Sequence, residues 1–268
     1  SSCWMNFLDY VHPMTKPRYR LAVDATLSPN ARVSLHESAA HYLSSVLRLA
    51  VGAELLLFNR TDGEWLASIE EIRKKEVVVA LGGTCLRAPT KPLGLTVCFS
   101  PIKGGRMETI IEKATELGAS VLQPVITART IVDKVNLVRA EAIAREAAEQ
   151  CERIDWPEIR EPVKLLKLLG DWPSDVPLIY GDESGASDSV TRLAALAVPQ
   201  QWAILVGPEG GFTKDEFTAL AKVKGAYGVG LGPRILRADT AIITLCVATA
   251  SVWGDWHERP RFVAEGET

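Results

Sequence analysis

The sequence predicts two domains of different class, a small β-barrel followed by an α/β domain with a mainly parallel sheet. Short β-like runs separated by turn residues fill the first third of the 268 residues. The stretch 88–92, with two prolines, breaks every periodicity and predicts a boundary between domains 1–88 and 89–268. Beyond it, apolar runs alternate with helical patterns, which is typical of parallel strands joined by crossover helices.

In the first domain, one helical pattern at 41–49 interrupts the strands and places Leu43, Val46 and Leu47 on one face. The residues before Met5 are interpreted as a candidate remnant of cloning. Alternating runs bounded by turn residues predict antiparallel strands at 19–23, 32–35, 53–58, 65–72 and 77–81.

In the second domain, the last helix is apolar around much of its circumference. It must therefore be covered on more than one side, by the sheet and by a second subunit. The apolar runs predict strands at 95–100, 121–126, 178–181, 202–206 and 227–231. The helical patterns predict helices from beyond Gly105 to Gly118, at 137–153 and at 241–256.

Composition limits the class of protein. An apolar content of 47% can fill a core, and no apolar run approaches the roughly 20 residues that a membrane span needs. The five cysteines are odd in number and lack C-x-x-C spacing, which indicates reduced thiols in the cytoplasm and no structural zinc or iron–sulfur site. The four histidines lie outside the glycine-rich loops described next, so a histidine metal site is disfavoured. We expect no metal.

Charge gives no bulk preference for nucleic acid. The formal net charge is −3, with +1 in residues 1–90 and −4 in the remainder. Any RNA-binding surface must therefore be built from local clusters, such as Lys16, Arg18 and Arg20, or Lys103 and Arg106. Solvated surface charge is the alternative for each cluster.

Two glycine-rich segments follow apolar strand-like runs near the C-terminus. The first loop is Gly207-Pro208-Glu209-Gly210-Gly211, after Val206, and the second loop runs from Leu231 to Asp239. Ligands gather at the carboxyl ends of parallel strands, where glycines let a small molecule approach the main chain. The glycine spacing matches neither G-x-G-x-x-G nor the P-loop. The alternative is a simple strand-to-helix turn in which Thr213 caps the next helix.

The second loop carries Arg234 and Arg237 just before a helix N-terminus. Two arginines there form a positive region suited to a phosphate or to an anion that develops during a reaction. Ion pairing with Asp239 or Glu209 is the alternative. Glu183, at a third strand exit, either lines the same pocket or is an ordinary loop carboxylate.

The two loops resemble the C-terminal signature of the SPOUT-class methyltransferases that methylate N3 of a uridine in 16S ribosomal RNA. The resemblance extends over nearly the whole chain. Further segments in the expected order are Val46-Leu47-Arg48, Lys103-Gly104 with Arg106-Met107-Glu108, Lys113 with Glu116-Leu117-Gly118, and Glu149-Gln150-Cys151 with Arg153.

This resemblance implies an N-terminal PUA-like β-barrel that binds RNA and a C-terminal SPOUT-type α/β domain with a deep trefoil knot. S-adenosylmethionine is expected to bind, bent, among the knot loops of a homodimer. The implied substrate is 16S rRNA, free or within the assembled small ribosomal subunit. The acidic position after Leu236-Arg237 is often glutamate in the family but is Asp239 here, which favours helix capping for this residue.

Carried over to this sequence, the resemblance assigns three groups of residues. Arg237 and Arg234 would stabilise the negative charge of a uridine that has lost its N3 proton. The candidate RNA contacts are Arg18, Arg20, Arg48, Lys103 and Arg106. The candidate cofactor contacts are Glu183, Val206, Gly207, Pro208, Glu209, Gly210, Gly211, Leu231, Gly232, Ile235 and Leu236.

Three alternatives stay open from the sequence. The same chemistry could act on another RNA. A nucleotide-dependent reductase is disfavoured because the dinucleotide fingerprint is missing. A non-catalytic RNA-binding module would leave both glycine-rich loops unexplained.

Overall fold

The computed structural model describes residues 19–258 except 133, 185 and 186. Residues 1–4 and Arg18 therefore lie outside the described residues. The chain divides into two compact units between Thr90 and Lys91. None of the helices in the described part is long and apolar enough to cross a membrane.

The N-terminal unit contains a five-stranded sheet in the order β1-β3-β4-β5-β2. The pairings are antiparallel, as predicted, except that β1 runs parallel to β3. Alternate residues of β2, Val33 and Leu35, point into a core that also buries Leu55, Leu57 and Val79. The strands are β1 (Tyr19–Ala22), β2 (Arg32–His36), β3 (Glu54–Asn59), β4 (Gly63–Arg73) and β5 (Glu76–Arg87).

The helical segment of this unit begins earlier than predicted. Helix α1 (Glu37–His41) continues directly into a π-helical turn, Tyr42–Val46. Because a π-helical turn has a wider repeat than an α-helix, it rotates the following side chains onto different faces. Leu43 is buried at 1% exposure, whereas Val46 is 58% exposed, so the prediction that these two residues share a face was wrong.

The C-terminal unit contains a sheet in the order β12-β10-β11-β6-β7-β8, with β9 beside β7. All pairings among its described strands are parallel, which confirms the predicted mainly parallel sheet. The strands are β6 (Leu95–Phe99), β7 (Ala119–Ile126), β8 (Glu158–Ile159), β9 (Val163–Lys164), β10 (Leu178–Gly181), β11 (Trp202–Val206) and β12 (Ala226–Val229).

The helices of this unit pack their apolar sides on the sheet and on one another. Helix α2 buries Ile110, Ile111 and Ala114, and Gly118 follows its end with φ +91°. The last helix begins at Ala238 and ends at Trp253, not at 241 and 256. The helices are α2 (Gly105–Glu116), α3 (Leu137–Gln150), α4 (Leu165–Gly170), α5 (Lys214–Lys222) and α6 (Ala238–Trp253), with a 3₁₀ segment at Val190–Ala195.

The strand order brings three strand ends together. Strand β10 lies between β12 and β11, with Gly181 beside Val229 and Tyr180 beside Leu205. Because all three strands are parallel, their carboxyl ends share one edge of the sheet. The segments that leave these ends can therefore form a common site.

Candidate active site

A cavity of about 610 Å³ lies at the carboxyl ends of β10, β11 and β12. This volume is in the range of small-molecule and cofactor sites. Three segments form most of its lining, 181–183, 206–211 and 230–238. The structure thus brings both predicted arginines and every predicted cofactor contact together: Glu183, Val206, Gly207, Pro208, Glu209, Gly210, Gly211, Leu231, Gly232, Arg234, Ile235, Leu236 and Arg237.

The glycines of the first loop lie where an added side chain would be crowded or strained. A Cβ on Gly207 would lie 3.0 Å from the Phe212 ring, and one on Gly210 would lie 3.3 Å from Cδ of Arg129. Gly211 has φ +68°, a backbone conformation that residues other than glycine rarely adopt. The loop therefore presents main chain directly to the cavity.

The same loop also leads into a capped helix. Thr213 Oγ1 accepts a hydrogen bond from Glu216 N at 3.2 Å, and Glu216 Oε2 accepts one from Thr213 N at 2.8 Å. This capping box confirms the predicted cap of α5. The cap explains Thr213 and Glu216, and the cavity explains the glycines.

The second loop keeps its positive charge available. Arg234 and Arg237 are exposed, and neither forms an ion pair with any residue that the structure describes. Glu209 pairs instead with Arg106, whose Nη1 donates to Glu209 Oε1 at 2.5 Å. The internal ion pairs weighed as an alternative are thus not formed by these two arginines in the described chain.

The prediction that Asp239 caps α6 was wrong about the position of this residue in the helix. The residue before the first turn of α6 is Arg237, and it makes no side-chain cap. Asp239 lies within the first turn, where its carboxylate accepts the N–H of Thr240 at 2.9 Å. It satisfies one free N–H group and adds negative charge near the helix N-terminus.

Sequence reasoning missed Asp182, a carboxylate in the cavity lining. Its side chain is buried, accepts Ser184 N at 2.9 Å and accepts Ser187 Oγ at 2.5 Å. Burial acts to raise the pKa of Asp182, but the hydrogen bonds from Ser184 and Ser187 outweigh it and lower the pKa below its ordinary value. Its place directly after the β10 run was the available signal.

The described candidate RNA contacts differ in accessibility. Arg20 is 6% exposed, pairs with Glu64 at 2.7 Å and stacks on the Phe58 ring, which argues against a direct contact with RNA. Arg48 is exposed with φ +53° and Lys103 is exposed. Arg106 is half-buried in its pair with Glu209.

Comparison with known proteins finds family matches in both parts of the chain. Residues 89–250 match the family model of an RNA methyltransferase domain, and residues 35–81 match that of an RNA methyltransferase PUA domain. A solved structure, a ribosomal RNA small subunit methyltransferase E from Neisseria gonorrhoeae bound to S-adenosylmethionine, is similar with a TM-score of 0.80 and 27% identity. The match covers 89% of this chain and 99% of that one.

Curated relatives are similar over most of their length. The ribosomal RNA small subunit methyltransferase E of Rickettsia conorii is 35% identical, with 84% of this chain and 92% of the relative covered. The Synechocystis protein of the same name is also 35% identical, with 83% and 74% covered. The chain therefore belongs to the ribosomal RNA small subunit methyltransferase E family of RNA methyltransferases.

Proposed function

We propose that this protein transfers the methyl group of S-adenosylmethionine to N3 of a uridine in the 16S rRNA of the small ribosomal subunit. The observation that carries the proposal is the meeting of two glycine-rich loops and two arginines in one cavity, with no ion pair from either arginine to a described residue. Membership of the family supports methyl transfer to RNA as the reaction. A similar structure solved with S-adenosylmethionine supports the identity of the cofactor.

The cavity lining suits S-adenosylmethionine. The first loop offers main-chain N–H and C=O groups to polar parts of the cofactor, because its glycines bring the backbone to the surface. Leu231, Ile235 and Leu236 offer apolar contact, and Ile235 is 90% exposed and therefore accessible to a ligand in the cavity. When bound, the cofactor supplies a methyl group on a positively charged sulfur, which is already activated for transfer.

The role of the arginines follows from the chemistry of uridine. N3 carries a proton and is a poor nucleophile until that proton leaves, and the resulting negative charge spreads over O2 and O4. Arg234 and Arg237 present positively charged guanidinium groups with fixed N–H donors. Placed in the same cavity, they stabilise this charge and orient the base.

Carboxylates of the lining are the candidate acceptors of the N3 proton. The carboxylate of Asp182 already accepts hydrogen bonds from Ser184 and Ser187. Glu183 and Glu209 are exposed at the cavity, and the carboxylate of Glu209 is held by Arg106. We assign proton acceptance to Glu183, because the carboxylates of Asp182 and Glu209 are both already engaged.

The substrate and assembly follow from the same proposal. Arg48, Lys103 and Arg106 contribute positive charge for RNA, with the target base turned out of its stack to reach the cavity. We further propose a homodimer in the cytoplasm, a deep trefoil knot in the C-terminal unit, and a substrate that is free rRNA or the assembled small subunit. The apolar circumference of α6 favours the homodimer.

The test is transfer of labelled methyl from S-adenosylmethionine to purified small-subunit RNA and to assembled small subunits. Nucleoside analysis of the product should give 3-methyluridine. A different methylated nucleoside would refute the assignment of the base, and no transfer to either substrate would refute the assignment of the RNA.

A further inference from the structure

We propose that Arg129 is a positioning residue for cofactor binding, which holds the first loop in its ligand-binding shape from the end of the neighbouring strand β7. The inference rests on the proposed function, since it concerns the same cavity. Arg129 follows β7 (Ala119–Ile126), a strand whose exit contributes no residue to the described cavity lining.

The contact between Arg129 and the first loop has two parts. Nη1 of Arg129 donates to the carbonyl oxygen of Gly210 at 2.5 Å. The aliphatic stem of the same side chain covers Gly210, with Cδ 3.3 Å and Cβ 3.5 Å from the position of a Cβ there. Arg129 therefore gives Gly210 both a charged donor and the packing surface that its missing side chain leaves open.

This contact fixes one peptide plane. The carbonyl of the peptide between Gly210 and Gly211 accepts from Arg129, and its N–H donates to Pro208 O at 2.8 Å. Two successive glycines have unusual conformational freedom, and the unrestrained plane could rotate. If the loop became ordered only when the ligand binds, the affinity for the ligand would be lower. The conformational entropy lost by the loop would then reduce the favourable free energy of binding.

Arg129 comes from a turn that is itself fixed. Thr127 N donates to Thr130 Oγ1 at 2.8 Å, which closes the turn. Ala128 N donates to Glu216 Oε1 at 2.7 Å, and Glu216 is the buried carboxylate of the capping box of α5. The turn is thus joined to the chain on both sides of Phe212, by Arg129 to Gly210 and by Ala128 to Glu216. Arg129 can restrain the loop because its own backbone is anchored.

Two substitutions in the full-length protein separate the parts of this contact. Arg129→Met keeps the aliphatic stem and removes the donors, whereas Arg129→Lys keeps a charged donor. Isothermal titration with S-adenosylmethionine should show about tenfold weaker binding for Arg129→Met, the loss expected for a charge-assisted hydrogen bond, and partial recovery for Arg129→Lys. The matched control is Arg139→Ala, which removes an exposed arginine paired with Glu108 on the same unit and should bind as wild type does.

Steady-state kinetics supply the second measurement. In Arg129→Met, the KM for S-adenosylmethionine should rise while kcat at saturating cofactor stays at the wild-type value, because the loop is ordered once the cofactor is bound. Unchanged cofactor affinity with a raised KM for RNA would overturn the inference in favour of an RNA contact. A lower melting temperature with equal losses in kcat and affinity, not recovered by lysine, would overturn it in favour of a structural role. Wild-type protein that binds no S-adenosylmethionine would instead overturn the proposed function itself.

Discussion

Arg106 at the start of α2 and Glu209 in the first loop form an ion pair of 2.5 Å across 103 positions of the sequence. Both side chains are partly exposed, so the pair is open to competition from solvent and ligands. Arg106 is also a candidate contact for an RNA phosphate. Only Nη1 of Arg106 is engaged by Glu209, but the carboxylate offsets the positive charge that a phosphate would meet there. The pair would therefore connect an RNA contact at Arg106 with the cavity.

The first prediction concerns opposite effects of the two partners on RNA affinity. Arg106→Ala should weaken binding, and the slope of log K against log salt should fall in magnitude by about 0.7, the value for one contact to single-stranded RNA. Glu209→Gln should strengthen binding, because it frees Arg106 and removes a negative charge from the cavity mouth. Fluorescence anisotropy with an rRNA fragment over a range of salt concentrations measures both effects.

A double-mutant cycle provides the control for this competition. In the Arg106→Ala background, Glu209→Gln should lose most of its strengthening effect. Arg160→Ala, which removes an exposed arginine paired with Glu158, is the matched surface variant and should change the slope little. Weaker RNA binding by Glu209→Gln would contradict the competition.

The second prediction separates catalysis from cofactor binding at the second loop. Arg237→Ala should lower kcat by about 10²–10³, the usual cost of losing a group that stabilises developing charge. It should retain S-adenosylmethionine affinity, since the loop glycines and apolar side chains remain. Single-turnover transfer and calorimetry measure the two properties. Full activity in Arg237→Ala would remove the residue from the catalytic group, and Arg234→Ala tests its neighbour in the same way.

The third prediction concerns the space above Gly210. Gly210→Val should weaken S-adenosylmethionine binding at least tenfold, as Arg129→Met does, because its branched side chain would push aside Arg129, whose Cδ lies 3.3 Å from the added Cβ. Gly170→Ala is the matched control, since no atom lies within 4 Å of the added Cβ. Calorimetry together with circular dichroism distinguishes a lost site from a lost fold. Normal cofactor affinity in Gly210→Val would show that the first loop does not form the binding surface.

The sequence predicted the strands that carry the site better than the short ones at the edge. Strands β10 and β11 have the predicted bounds, because an apolar run followed by glycine is a strong local signal. Strands β8 and β9 have two residues each and were missed, since two residues have no periodicity. They form by pairing with β7, which is a property of tertiary structure.

The same distinction applies to the site residues. The glycines were visible because each loop is continuous in sequence. The contact of Arg129 with Gly210 was missed because the two residues are 81 positions apart in the sequence. The pairing of Arg20 was missed because its partner, Glu64, is 44 positions away and belongs to another strand. Charge in a sequence shows which residues could meet a ligand, but the fold decides which ones are already paired.

The fourth prediction is a pH-dependent stability from Asp182. Its pKa in the folded protein lies below the ordinary value of 3.8, because hydrogen bonds from Ser184 and Ser187 outweigh the effect of burial. A lowered folded pKa means that the ionised carboxylate stabilises the protein above the unfolded pKa. That stability is lost as pH falls through the folded pKa. The turn after β10 should therefore weaken below about pH 4.

Asp182→Asn tests this sign. The asparagine amide cannot accept both hydrogen bonds, so the variant should melt about 2–4 °C below wild type at pH 7, for a loss of about 1 kcal/mol. The difference should shrink as pH falls from 3.8 through the lower pKa of the folded protein, because the wild-type carboxyl takes up its proton over this range. Asp171→Asn is the matched control, because the Asp171 side chain is 70% exposed and its ion pair among the described residues is with Lys167. This variant should have the melting temperature of the wild type at every pH. Calorimetric melting curves across this pH range measure the difference in melting temperature between the wild type and Asp182→Asn. A difference that stayed constant with pH would show that ionisation of Asp182 does not stabilise the turn.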